Sequence, residues 1–118
     1  MKILVTGSAR FIGSAVSISL LKQGYEIVGI DNHNDYYDPA LKEARLARHL
    51  NHPNYTHVRA DITEQEKVKA IFSKYKFDSV VNLAAQAGVR YSIENPLSYV
   101  HTNILGFTHI LEACRDNN

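Results

Sequence analysis

The sequence has a single cysteine, almost no net charge and no long apolar run. Because Cys114 has no partner cysteine, an intrachain disulfide is excluded and a reducing compartment fits. The formal net charge of +1 provides no basic surface for nucleic acid. No apolar stretch approaches the roughly 18 residues of a membrane span, and the first one, residues 3–5, is too short for a signal peptide. We therefore expect one soluble, cytoplasmic domain over residues 1–118, without membrane or nucleic-acid partners.

A glycine-containing loop follows the first apolar run. Residues 2–13 read KILVTGSARFIG, and Asp31 follows Gly13 by 18 positions at the end of the next apolar run. A strand, a glycine turn, a helix and a later acidic residue are the layout of a dinucleotide-binding unit, in which the helix N-terminus faces the phosphates. Asp31 would accept hydrogen bonds from the adenosine ribose, which favours NAD over NADP. The alternative is that Gly7 and Gly13 are only turn and packing glycines.

Four strand patterns alternate with four helical patterns along the chain. The strands are predicted at residues 3–6, 27–30, 56–60 and 79–84. The first helix is predicted at residues 11–23 and the second at 39–50, with Asp38 as its N-cap. Thr63 and Glu66 form a predicted capping box for the third, and Asn95-Pro96 opens the fourth. This alternation predicts an α/β, Rossmann-like parallel sheet with strand order 3-2-1-4.

Two further segments carry a family resemblance. Residues 29–46 read GIDNHNDYYDPALKEARL and residues 82–96 read NLAAQAGVRYSIENP. Together with the glycine loop, they resemble the extended short-chain dehydrogenase/reductase superfamily, in its NAD-dependent epimerase/dehydratase branch. Within that branch they are most similar to the UDP-glucuronate 4-epimerase group. The resemblance covers essentially the whole chain and implies the NAD-binding, N-terminal part of a nucleotide-sugar epimerase.

The resemblance also implies a site. The implied cofactor positions are Gly7, Phe11, Ile12 and Gly13 at the pyrophosphate, Asp31 and Asn32 at the adenosine ribose, Asp61 and Ile62 at the adenine, and Leu83, Ala84, Ala85 and Gln86 towards the nicotinamide. Arg90 lies in the segment that faces the sugar nucleotide, where a guanidinium could neutralise a carboxylate or phosphate. The alternative for Arg90 is a solvated loop arginine. The alternative for Asp61 is a turn or helix-capping residue ahead of Thr63.

The catalytic part of the family pattern is missing from these 118 residues. Family members use a Tyr-x-x-x-Lys pair and a Ser or Thr on later strands, while NAD takes a hydride from the sugar C4 and returns it to the other face. None of the seven tyrosines here has a lysine four positions later. The family's later strands and sugar-binding domain would begin after Asn118. We assign no catalytic residue and expect the chain to be inactive alone, with UDP-sugar bound only in a full-length context.

Arg10 stands where the extended branch has glycine, and its side chain could fill the pyrophosphate site. The shorter-chain branch instead has the pattern T-G-x-x-x-G-x-G, often with an arginine near an NADP 2′-phosphate. Residues 6–10 resemble that pattern, but Phe11 replaces its glycine and Asp31 would repel a 2′-phosphate. We therefore count Arg10 among the cofactor-binding residues and expect NAD binding that is weakened sterically and partly restored by its attraction to phosphate.

The remaining signals concern metals and partners. The six histidines complete no recognisable metal site, and we interpret His49 and His52 as exposed helix-end residues. The predicted strand at 79–84 has one open edge, and the apolar stripe at 100–114 resembles the family's dimer surface, so we expect a homo-oligomer through one or both. A second hypothesis is a stand-alone, non-catalytic nucleotide-binding or protein-interaction module, in which Arg10 and the open edge serve a partner.

Overall fold

A parallel four-stranded sheet forms the centre of the molecule. The structure, a computed structural model, describes residues 1–32, 39–85 and 89–117. The strands are β1 (Lys2–Thr6), β2 (Glu26–Asp31), β3 (Tyr55–Arg59) and β4 (Ser79–Asn82). Their order is β3-β2-β1-β4, and Leu4 of β1 pairs with Val28 on one side and Val80 on the other. The predicted fold class and the strand order 3-2-1-4 are confirmed.

Among the described residues, one helix follows each of the first three strands, and several helical segments in succession follow β4. The helices are α1 (Phe11–Lys22), α2 (Pro39–Ala47), α3 (Gln65–Lys74), α4 (Val89–Glu94), α5 (Pro96–Tyr99) and α6 (Phe107–Asn117), with a π-helical segment at Val100–Gly106 between the last two. Asn95 caps α5, because its side chain accepts a hydrogen bond from the Ser98 N–H. Among the residues that the structure describes, none of these helices is long and apolar enough to cross a bilayer.

The core has two layers because side chains alternate across each strand. Ile3 and Val5 of β1 point to one face, where they pack with Leu21 of α1 and Leu46 of α2. Leu4 points to the opposite face, which α3 and α6 cover with the apolar residues Val68, Ile71, Phe72, Ile110 and Ala113. The continuous apolar runs of β1 and β2 are those of strands covered on both faces.

Helix α1 meets the sheet through small residues. Its buried positions are Gly13, Ser14, Ser17 and Leu21, while Ile12 and Ala15 are exposed. The Ser17 hydroxyl donates a hydrogen bond to the Gly13 carbonyl oxygen at 2.8 Å, so this buried polar group is satisfied. Gly24, in the left-handed region at φ 89°, ends the helix, with its N–H donating to the Leu21 carbonyl.

Helix α2 ends three residues earlier than predicted. It stops at Ala47, and a turn follows in which the N–H groups of His49 and Leu50 both donate to the Leu46 carbonyl. The turn places His49 against β3, with its ring 4.5 Å from the Tyr55 ring in an edge-on contact. The predicted N-cap, Asp38, lies outside the described residues.

Candidate functional site

The carboxyl ends of β1 and β4 are joined by the side chain of Thr6. Its hydroxyl donates to the side-chain oxygen of Asn82 and accepts from the N–H groups of Leu83 and Ala84, both at 3.0 Å. The next residue, Gly7, has φ 72°, and a Cβ there would lie 2.9 Å from the backbone of Leu83 and Ala84. Gly7 therefore allows the turn and the close approach of the two strand ends.

The N-terminus of α1 opens towards the same strand ends. A Cβ on Gly13 would overlap the carbonyl oxygen of Gly7, so glycine lets the first turn rest against the loop. Ser14 N–H closes that turn on the Arg10 carbonyl at 2.8 Å. The N–H groups ahead of it have no intrahelical acceptor, and Phe11 and Ile12 are 70% and 60% exposed. This is the local geometry that binds phosphate in dinucleotide-binding folds.

Asp31 closes β2 and is almost fully buried, with 3% of its surface exposed. One carboxylate oxygen accepts the N–H of Ala9 at 3.1 Å, and the N–H groups of Gly7 and Ser8 both donate to the Ile30 carbonyl. Asp31 thus stabilises the glycine loop and also lines the cleft beside it. Its partner strand residue is Arg59 of β3.

Asp61 lies across the cleft from Asp31 and organises the turn into α3. Its carboxylate accepts from the N–H and hydroxyl of Thr63 at 2.9 and 2.8 Å, and from the Asn32 amide at 3.1 Å. Burial acts to raise the pKa of Asp61, but these hydrogen bonds, aided by the charge of His101, outweigh it and lower that pKa. The side chain of Asn32 is held at the same time.

The capping box predicted from Thr63 and Glu66 is wrong. The reciprocal pair is Asp61 with Glu64: the Asp61 N–H donates to Glu64 Oε1 at 3.1 Å, and the Glu64 N–H donates to the Asp61 carbonyl at 3.0 Å. The same three-residue spacing occurs twice in this segment, and the acidic pair is used. The turn role considered for Asp61 therefore exists in the structure, and it leaves Asp61 on the wall of the cleft.

These groups enclose a narrow cleft at the carboxyl edge of the sheet. Its walls are formed by Gly7, Arg10, Ile30, Asp31, Asn32, Ala60, Asp61, Ile62, Ala84, Ala85 and Thr102. The volume is about 20 Å³, room for about one water molecule. Arg10 crosses this region, because its guanidinium donates to the backbone carbonyl of Ala85. The structure thus brings together the predicted residues of β1, β2, β3 and β4 around an arginine.

A second cavity of about 380 Å³ continues on the other side of Arg10. Its walls are Arg10, Phe11, Ile12, Gly13, Arg45, Leu83 and Ala85. Arg45, the last cation of α2, was not among the predicted site residues, and neither was Thr102 of the π-helical segment. Arg45 occurs within a segment quoted only for its family resemblance, and nothing local in the sequence signals a π-helical turn.

Two of the predicted site residues are not described by the structure. Gln86 is outside the described residues, and so is the side chain of Arg90, whose backbone lies in α4. Elsewhere in the described ranges, no group of three or more His, Cys, Asp or Glu residues could hold a metal ion.

The prediction that His49 is an exposed helix-end residue is wrong. It is 4% exposed, and neither ring nitrogen has a hydrogen-bond partner within the described part of the chain. Burial, with the charge of Arg48, lowers its pKa, so the ring is held neutral. The hydroxyl of its neighbour Tyr55 donates to Ser8 Oγ at 3.2 Å and lies within hydrogen-bond distance of His57 Nδ1, at 2.9 Å. Burial raises the pKa of Tyr55 to about 12. Tyr55 is thus a packing residue of β3.

Comparison with known proteins decides the family. The family model described as GDP-mannose 4,6 dehydratase matches residues 4–118. The chain belongs to this family.

Two relatives are similar to nearly the whole chain. It is 49% identical to UDP-glucuronate 4-epimerase 4 of Arabidopsis thaliana over 98% of its length, and 48% identical to protein CapI of Staphylococcus aureus over 100%. The matched part is 26% of the first relative and 35% of the second, so the chain spans about a quarter to a third of the proteins it resembles.

A solved structure of an epimerase shares the fold. The UDP-glucuronic acid 4-epimerase from Bacillus cereus, in complex with UDP-glucuronic acid and NAD, superposes with a TM-score of 0.88 at 36% identity. The alignment covers 98% of this chain and 36% of that one. This member of the GDP-mannose 4,6 dehydratase family therefore corresponds to the N-terminal, NAD-binding part of such epimerases.

Proposed function

We propose that this chain is the NAD-binding portion of a nucleotide-sugar epimerase similar to UDP-glucuronate 4-epimerase. The observation that carries the proposal is the buried carboxylate of Asp31, which lines a cleft beside the Gly7 turn at the carboxyl edge of a parallel sheet. In open α/β sheets this edge, next to the point where the strand order reverses, is where ligands bind. The 49% identical relative is named for the same reaction class.

The residues present fit a dinucleotide. The Gly7 cradle, which a Cβ would fill, and the open first turn of α1 suit a pyrophosphate. Asp31 and Asn32 would face the adenosine ribose, Asp61 and Ile62 the adenine, and Leu83 to Gln86 the nicotinamide side. When bound, NAD supplies a hydride acceptor and donor for inversion at the sugar C4. A 2′-phosphate would meet the Asp31 carboxylate, so the proposal is NAD rather than NADP.

Arg10 weakens that binding in our proposal. Its side chain lies across the cleft and is bonded to the Ala85 carbonyl, and the space left beside it is about 20 Å³. A dinucleotide would have to displace the guanidinium and break this hydrogen bond. Attraction between the guanidinium and the phosphates would offset part of the cost.

The chemistry belongs to a longer protein in this proposal. The 118 residues contain no Tyr-x-x-x-Lys pair, so no group here is assigned to proton transfer at the sugar. Arg90 is proposed to face the carboxylate or phosphate of a UDP-sugar in that full-length context. We expect no epimerase activity from the chain alone.

Calorimetric titration with NAD and NADP tests the cofactor proposal. We expect the native chain to bind NAD more tightly than NADP, and Asp31→Asn to reduce the difference because it removes the charge that repels a 2′-phosphate. Asp116→Asn, on the exposed end of α6, is the matched control and should leave the ratio unchanged. Equal affinities for the two cofactors in the native chain, or no binding of either, would contradict the proposal.

A non-catalytic binding module is the second candidate, because apolar surface is left uncovered. Ile104 and Leu111 are 61% and 53% exposed on the helical run that ends in α6. Strand β4 pairs with β1 alone among the described strands, which leaves its other edge open. We propose that the chain self-associates through one of these surfaces, the 79–84 edge or the 100–114 helix, as unpaired strand edges and large apolar patches favour.

A further inference from the structure

The cavity beside α1 is apolar except for two guanidiniums. Phe11, Ile12 and Leu83 supply apolar walls, whereas Arg10 and Arg45 supply positive charge. Among the residues that the structure describes, the lining contains no carboxylate, so none of them balances these two charges from within the cavity. Guanidinium groups beside apolar surface and without carboxylates are suited to an anion that enters from outside.

Arg45 is placed by its backbone rather than by its charge. The Ser14 hydroxyl of α1 donates to the Arg45 carbonyl at 3.2 Å and accepts from Arg48 Nη2 at 3.0 Å, which fixes the end of α2 against α1. The Arg45 guanidinium carbon then lies 5.5 Å from the centre of the Phe11 ring. Within the described ranges, this guanidinium makes no ion pair or hydrogen bond, so its donors are available.

We propose that Arg45 is a phosphate-binding residue, contributed by α2, that binds the pyrophosphate of the dinucleotide. The inference rests on the proposed function and adds to it a ligand from outside the glycine loop. A guanidinium presents five N–H donors in a planar fork that matches two phosphate oxygens. The cation–π contact with Phe11 keeps this fork at the cavity wall and reduces the freedom lost when an anion binds.

The competing interpretation is structural. Arg45 could serve only to cover the Phe11 ring and hold α2 on α1. The two interpretations predict different effects of removing the charge. An apolar side chain of similar length keeps the packing but loses the phosphate contact. They also differ in salt dependence, because a contact between unlike charges at a partly exposed site weakens as ionic strength rises.

The test uses inorganic pyrophosphate and NAD as separate probes in calorimetric titrations. For Arg45→Met, which keeps an apolar stem on Phe11, we expect affinity for both probes to fall by about tenfold at low salt, as for loss of one charge-assisted hydrogen bond. Arg45→Lys, which keeps the charge but loses the fork, should fall less. Arg115→Met, at an exposed position of α6, is the matched control and should change neither affinity.

The outcomes separate the inference from the proposed function. If Arg45→Met binds both probes with native affinity at low and at high salt, the role of Arg45 is overturned. NAD binding as such is left intact by that result. Arg45-dependent binding of pyrophosphate without any binding of NAD supports Arg45 as a phosphate ligand and overturns the cofactor proposal. No binding of either probe by the native chain overturns both. If Arg45→Met does not fold, equal affinities of Arg45→Lys and the native chain at low and high salt overturn the inference.

Discussion

The carbonyl oxygen of Gly7 occupies the space that a Cβ atom on Gly13 would need. A Gly→Ala change within a helix usually stabilises by up to about 1 kcal/mol through propensity. Here the added methyl must push α1 away from the loop, and we expect Gly13→Ala to lower the free energy of unfolding by about 1–3 kcal/mol instead. Ser19→Ala, on the exposed side of the same helix, is the control and should be neutral or slightly stabilising. Chemical denaturation measures both; a stabilised Gly13→Ala would contradict the close packing.

Removal of the Arg10 side chain should improve dinucleotide binding. The guanidinium is bonded to the Ala85 carbonyl across the cleft, and Arg10→Gly would open the space and remove that competing hydrogen bond. We expect the Kd for NAD to fall by about tenfold, or about 1.4 kcal/mol. The variant also loses the attraction between the Arg10 charge and the phosphates. Because salt weakens that attraction in the native chain, the gain in affinity should grow with ionic strength. Calorimetry at two salt concentrations measures it, and equal or tighter binding by the native chain would refute the steric account.

The fold could be predicted from the sequence because its signals are local and repeated. Apolar runs, glycine turns and the Asp31 spacing each restrict one βα unit, and right-handed crossovers then leave few strand orders. Most of the residues that line the cleft are predicted by the resemblance, although Ile30, Ala60 and Thr102 are not. The placement of the predicted residues at one edge follows from a parallel sheet. Arg45 was missed because its position depends on how α2 packs against Ser14, a contact between elements 31 residues apart in sequence.

Local competition explains the other errors. Two equally spaced pairs overlap between residues 61 and 66. Asp61 and Glu64 form the turn ahead of α3, and the Asp61 carboxylate also accepts from the Asn32 amide at the end of β2. His49 was expected outside because histidines at helix ends usually are. Its burial follows from the early end of α2, which brings the ring onto Tyr55. The contact of Asn32 with Asp61 joins residues 29 positions apart, which a local window of the sequence does not contain.

Acid should destabilise the fold through His49. Burial and the charge of Arg48 lower its pKa in the folded state, so below pH 6.5 the unfolded chain binds a proton that the folded chain does not. Stability is therefore retained above pH 6.5 and falls as the pH drops, with a slope of at most about 1.4 kcal/mol per pH unit.

The variant His49→Phe isolates this contribution. It keeps a ring against Tyr55 and removes the two unpartnered nitrogens, so the difference in unfolding free energy between variant and native chain should widen as the pH falls below 6.5. Denaturation curves at several pH values measure the difference. A constant difference from pH 7.5 to 5 would show that His49 protonation is not linked to unfolding.

Self-association should depend on the exposed helical stripe. Replacing Leu111 with lysine places a charge on an apolar surface that is half uncovered in the single chain. If copies pair through this helix, Leu111→Lys should shift the association midpoint to at least about tenfold higher concentration, since a charge buried without a partner costs more than about 1.4 kcal/mol. Light scattering measures the mass against concentration. Lys69→Gln, on exposed α3, is the control, and a native chain that remains monomeric at high concentration rules out association through either surface.

Gly29 and Tyr55 should show coupled effects on stability. A Cβ on Gly29 would overlap the Tyr55 hydroxyl and lie 2.6 Å from Ser8 Oγ, so Gly29→Ala should destabilise by about 1–3 kcal/mol. Tyr55→Phe removes the hydroxyl, and with it the hydrogen bonds to Ser8 and His57, at a cost of about 1 kcal/mol. In the double variant the added methyl takes the place of the missing hydroxyl. Its loss of stability should therefore be smaller than the sum of the two single losses by at least about 0.5 kcal/mol, measured by a double-mutant cycle in denaturant. Strict additivity would mean that the strain of Gly29→Ala comes from Ser8 alone.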